Sequence, residues 1–266
     1  MEFFNSSDGV RLAYSVEGSG PPVLFVLGAG CDSGLWRAAG YLDPLLAEYT
    51  CILFDHRGHG ESDKPRGPDR YHVDRQVDDL TELLDHLGVH AVAFWGYSAA
   101  VSPGVRLAER APERVWALVI NGAVEPPGPP AERYSWVPEF AAQFRPGGGG
   151  WDQLIEDFAE QEPEPIPEWM KERIRATDPE QCADRVESYP TWGWEEWDAL
   201  PQIGTPTLFI TGALEDEDDH VGEIVRRMRA GERLRLEGKG HINAFLASEQ
   251  VLPVVRSFLA AHAPQA

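Results

Sequence analysis

Apolar residues fall at every second position from Val10 through Leu12 and Tyr14 to Val16, and Gly18-Ser19-Gly20-Pro21-Pro22 ends the pattern. Period two predicts a strand with one face in the core, suited to an antiparallel edge. The next apolar runs, at 23–27, 51–54, 91–95 and 115–120, do not alternate, and each has the length of a strand covered on both faces. Strands of that kind predict a parallel sheet. Helical spacing fills the gaps at 35–47 and 73–87, the second with Val77, Leu80, Leu84 and Leu87 on one side and Gly88 as its stop. The same order returns near the C-terminus: strand 207–211, helix 220–230, strand 233–236 and a closing helix over 242–262. One doubly wound, mostly parallel α/β sheet accounts for both ends.

The middle of the chain breaks this rhythm. Residues 125–200 carry a Gly147–Gly150 run, many prolines, and Trp136, Trp151, Trp169, Trp192, Trp194 and Trp197. The pattern predicts a core made of residues 1–124 and 201–266 with a helical cap, 125–200, inserted into it. Taken singly, each tryptophan is explained by packing; together they suggest an apolar, aromatic roof over a pocket. The acidic stretch 162–168 reads as a solvated face of that cap.

Composition narrows the functions. With 44 acidic against 23 basic residues, the formal charge of −21 repels phosphate backbones and anionic headgroups, so neither nucleic acid nor a membrane surface is an expected partner. The same charge weakly disfavours anionic substrates. Cys31, Cys51 and Cys182 are too few and too scattered for a disulfide framework or a thiolate zinc site. No apolar run approaches the ~20 residues of a spanning helix, and the first residues lack a basic, then apolar, leader pattern. A cytoplasmic protein acting on a small molecule is the expectation.

Three loops carry candidate chemistry. Gly96-Tyr97-Ser98-Ala99-Ala100 joins a buried strand to a helix, where a serine in strained backbone geometry is tolerated if its neighbours are small. Serine needs a base, and His241 in Gly238-Lys239-Gly240-His241 follows the last strand at the same sheet edge. An acid to hold the imidazole is expected after strand 207–211, where 215–219 offers five carboxylates. Asp216 is the first choice, Glu215 the second, and Glu125 reaches from another loop. His56-Arg57-Gly58-His59 has metal-pair spacing, but no third ligand accompanies it, and neither a metal nor another cofactor is expected. Asp55 and Arg57 are better read as pinning loops through charge-assisted hydrogen bonds.

The order Ser98, Asp216, His241 and the segment Asp55-His56-Arg57-Gly58-His59-Gly60-Glu61-Ser62, a D-x-R-G-x-G-x-S pattern, resemble the α/β-hydrolase fold family over nearly the whole chain. Leu27-Gly28 stands where the family commonly has His-Gly, and Ala100 replaces the more frequent elbow glycine. The resemblance implies an oxyanion hole from the backbone N–H groups of Ala29 and Ala99, with Gly28 and Gly30 letting the chain approach substrate closely. Tyr97 and Trp136 join Gly28 and Gly30 as expected pocket residues. The implied activity is hydrolysis of an ester, lactone or similar acyl bond of a small apolar or aromatic substrate through an acyl-enzyme. Acyl transfer, carbon–carbon bond hydrolysis and perhydrolysis use the same triad, and a non-catalytic small-molecule receptor is the reading from another class.

Overall fold

The computed structural model describes residues 1–122, 124, 128 and 132–264. Its strands are β1 (Glu2–Asn5), β2 (Arg11–Gly18), β3 (Pro22–Val26), β4 (Thr50–Asp55), β5 (Val92–Tyr97), β6 (Val115–Asn121), β7 (Thr207–Gly212) and β8 (Gly231–Leu236). The helices in chain order are α1 (Leu35–Ala38), α2 (Val73–His86), α3 (Val101–Arg110), α4 (Val137–Gln143), α5 (Gly150–Gln161), α6 (Glu168–Arg175), α7 (Pro179–Ser188), α8 (Glu196–Ala199), α9 (His220–Arg227), α10 (His241–Leu246) and α11 (Ser248–His262). All eight strands form one sheet in the order β1-β2-β4-β3-β5-β6-β7-β8. From β4 to β8 every neighbouring pair is parallel, while β2 runs antiparallel to both β1 and β4. This is the α/β-hydrolase fold.

Successive side chains of the unalternating runs serve opposite faces, which is why these strands lack a polar side. Val23 and Phe25 of β3, with Ala93 and Trp95 of β5, pack into the layer that holds Trp36, Tyr41 and Phe245. Leu24, Val26, Val92 and Phe94 face the layer of α2, α3 and α9, which contributes Leu83, Val105 and Ile224. Chain direction across the sheet reverses at β3, whose partners β4 and β5 lie on opposite sides of it. Open α/β sheets place their crevice at the strand carboxyl ends beside such a switch point.

Three expectations need correction. The alternating strand β2 is internal, because β1 pairs along its outer side. The helix expected over 35–47 stops at Ala38: Gly40 adopts φ +84 and Pro44 sits in a separate short turn, Asp43–Leu45. The closing helix breaks at Ala247 into α10 and α11. Between β6 and β7 the chain forms α4 to α8. Ion pairs tie this insertion to the sheet domain at Arg173–Asp32 (2.8 Å), Lys239–Glu164 (2.6 Å) and Arg66–Asp178 (2.6 Å). Among the described residues no helix is long and apolar enough to cross a membrane.

Candidate active site

Ser98 follows directly on β5 with φ +55, a left-handed conformation that costs a side-chain-bearing residue roughly 1–2 kcal/mol. The packing that enforces it is visible at Gly28, where a Cβ would stand 2.7 Å from Ser98 Cβ and 2.8 Å from the Ala99 nitrogen. Only glycine lets the loop after β3 lie that close to the elbow. Gly30, at φ +71, has a similar demand, since a Cβ there would press on the Trp151 ring at 2.9 Å. Ala29, Tyr97, Ser98, Ala99, Trp136 and His241 all line one cavity of about 240 Å³. Trp136 is the outermost of them, 43% exposed.

His241 opens α10 beyond β8. A Cβ on Gly122, at the end of β6, would lie 3.6 Å from both His241 Cε1 and the Ser98 nitrogen, so the imidazole edge and the elbow meet over the same glycine. The ring is stacked between Tyr97 (centroids 4.9 Å apart, 20° between planes) and Phe158 of α5 (5.4 Å, 15°). Two aromatic faces fix its orientation.

The carboxylate that meets His241 is Glu215, not Asp216. Nδ1 of His241 lies 2.5 Å from Glu215 Oε2, and Glu215 Oε1 accepts from the Gly212 nitrogen at 3.1 Å. Gly212 brings the end of β7 against the loop before His241: a Cβ there would strike the Lys239 carbonyl at 2.3 Å. Asp216 turns the other way. It accepts from the Val221 nitrogen (3.2 Å) and pairs with Arg233 (3.4 Å), holding the start of α9 to β8. Burial lifts its carboxyl above the ordinary range. Glu125 lies outside the described residues.

Burial pulls the His241 imidazole down, but the charge and hydrogen bond of Glu215, with Glu162 beyond, outweigh it and leave the ring above its ordinary 6.5. Glu162, read from sequence as surface, proves to have a definite contact: its two oxygens accept from the backbone nitrogens of Ile242 (2.6 Å) and Asn243 (3.1 Å) at the start of α10. A carboxylate there satisfies two orphan donors. Glu162→Ala is expected to cost about 1–2 kcal/mol of stability and to move the acid limb of any His241-dependent rate to lower pH. Thermal melts and a pH–rate profile check both effects.

The D-x-R-G-x-G-x-S segment is structural. Arg57 is fully buried and grips both oxygens of Asp79 (2.6 and 2.7 Å) and both of Asp8 (3.0 and 3.3 Å). Asp55 accepts from the nitrogens of Ser33 and Glu61, and Ser62 accepts from Ala13. His56 and His59 stack face to face at 3.8 Å. Among the described residues no group of three or more His, Cys, Asp or Glu could hold a metal ion. The thiol of Cys31, on the cavity wall, is pushed up to about 12 by burial and is a poor nucleophile.

This arrangement defines a class. The chain belongs to the α/β-hydrolase fold family, whose sequence profile it matches over residues 21–245. A putative 2-succinyl-6-hydroxy-2,4-cyclohexadiene-1-carboxylate synthase of Bacillus subtilis is 39% identical over 115 residues, 43% of this chain and 42% of that one. The chain thus spans about two-fifths of the length of that curated relative. A hydrolase of Pseudomonas aeruginosa superposes with TM-score 0.82 at 26% identity, covering 97% of both chains. An esterase of Thermogutta terrifontis gives 0.84 at 23% identity, over 99% of this chain and all of that one (100%).

Proposed function

We propose that the protein is a serine hydrolase that cleaves an ester, lactone or similar acyl bond of a small, largely apolar substrate. Ser98 Oγ attacks the acyl carbonyl while His241 takes its proton. The tetrahedral oxyanion is met by the backbone N–H groups of Ala29 and Ala99. His241 then returns the proton to the leaving oxygen, and water, activated by the same imidazole, cleaves the acyl-enzyme. Glu215 keeps Nδ1 protonated and stabilises the imidazolium in the role first expected of Asp216. Leu27 is no obstacle, since main-chain donors need no particular side chain.

The observation that carries this reading is the strained Ser98 sharing one cavity wall with an imidazole whose far nitrogen is held by Glu215. The insertion acts as the cap, contributing Phe140, Trp151, Leu154, Ile155 and Met170 to an apolar wall that suits a hydrocarbon or aromatic group. A fluorophosphonate probe is expected to label Ser98, and a short-chain 4-nitrophenyl ester to turn over repeatedly. Labelling without multiple turnovers selects the receptor reading. Failure to label Ser98 in the folded protein overturns the mechanism.

A further inference from the structure

One charged group on the cavity wall has no part in this chemistry. Arg185 of α7 is 1% exposed and lines the cavity together with Ser98, Ala99 and His241. Its Nη2 donates to the carbonyl of Ala99, one residue beyond the nucleophile. Its Nε and Nη1 are buried and have no hydrogen-bond partner, and the adjacent Tyr189 phenol, raised by burial, brings no negative charge to it. The acids around it are engaged elsewhere: Asp184 and Glu187 with Arg145, Glu195 with Arg133, and Glu196 with the Ser102 hydroxyl. Among the described residues no carboxylate forms an ion pair with Arg185; buried Glu196 feels its charge without reaching it.

A guanidinium stays charged when buried, and burying one without an anion is strongly unfavourable. The groups facing it from the loop after β4 offer no negative charge. Burial, with Arg185 beside it, holds His59 down to about 3, and His56 is also held below its ordinary value. Gln181, one turn earlier on α7, likewise leaves both amide atoms unpartnered. Wet surface explains none of these donors.

We propose that Arg185 determines specificity by receiving a carboxylate of the substrate, so that the preferred substrates are carboxylate-bearing esters or lactones, such as hemiesters of dicarboxylic acids. The chemistry rests on the hydrolase reading above; the anion site does not. Trp151, Leu154, Ile155 and Met170 would cover the hydrocarbon between carboxylate and scissile bond. The formal charge of −21 opposes the approach of such an anion from solution, but that field is screened within about 8 Å at physiological salt, whereas Arg185 acts at contact inside apolar walls. The weak bias against anionic substrates read from composition is thereby reversed at the site.

The test is calorimetric binding of 4-phenylbutanoate and of its neutral amide to Ser98→Ala protein, which needs no turnover. The carboxylate is expected to bind about tenfold or more tightly than the amide, and adding Arg185→Met is expected to remove that preference. Equal binding of the two ligands to Ser98→Ala protein overturns the proposal even if the double variant fails to fold. Equal weakening of both ligands by Arg185→Met assigns Arg185 to propping the elbow and overturns it too. In protein with Ser98 intact, mono-4-nitrophenyl glutarate should be cleaved with higher kcat/KM than 4-nitrophenyl pentanoate. A protein that binds the carboxylate selectively yet cleaves neither ester keeps the anion site and loses the hydrolase reading. One that cleaves the pentanoate faster does the reverse.

Discussion

Ser98→Gly is expected to abolish turnover of an aryl ester and at the same time to raise the melting temperature. Loss of the nucleophile removes about five to six orders of magnitude in kcat. Stability moves the other way because Ser98 is held at φ +55 by its neighbours, a conformation glycine adopts without penalty. Relief of about 1 kcal/mol corresponds to roughly 2 °C in a domain of this size. Ser98→Ala keeps a Cβ and with it the strain, so it should lose the activity without gaining the stability. A melting temperature for Ser98→Gly at or below that of Ser98→Ala would show that the elbow stores no strain.

Glu215→Gln should lower kcat by about three to four orders of magnitude, because a neutral amide neither fixes the tautomer nor stabilises the imidazolium. The pH profile should change as well. In the proposed mechanism His241 acts as base only when unprotonated, so activity should rise as pH climbs through its value. Burial lowers that value, and the charge and hydrogen bond of Glu215 more than offset it. Removing its charge therefore shifts the acid limb to lower pH. Asp216→Asn should leave the limb in place and cost about 1 kcal/mol of stability, since its partners are Val221 and Arg233. A large kcat loss in Asp216→Asn with an active Glu215→Gln would reverse the assignment.

These two neighbouring carboxylates mark the limit of what the sequence made legible. Buried strands, the elbow and the histidine loop announce themselves locally, through unbroken apolar runs and small residues beside a serine. Which of two adjacent acids faces the histidine depends on where β7 ends and on Arg233 two elements later, and no periodicity in a loop reports that. The edge strand β1 was missed because, of its four residues, only Phe4 is buried. Contacts made by the insertion were the least readable. Its tryptophans suggested a roof, but Phe158, Glu162 and Arg185 sit among ordinary helical residues and acquire roles only through packing across many intervening positions. A lone arginine within an amphipathic helix looks like surface until its surroundings are known.

The stacking of His241 between Tyr97 and Phe158, with Glu162 closing the turn below it, has a consequence for how such a protein can diversify. One half of the clamp on the imidazole is inherited with the sheet, and the other half travels with the inserted helices. On the proposed function, grafting the helical segment of another member onto this scaffold would exchange the substrate chamber and, in the same stroke, loosen the histidine. On that reading selectivity and basicity are not separable modules, and a transplant aimed at new substrates must bring along an aromatic ring and an acid for the histidine it covers.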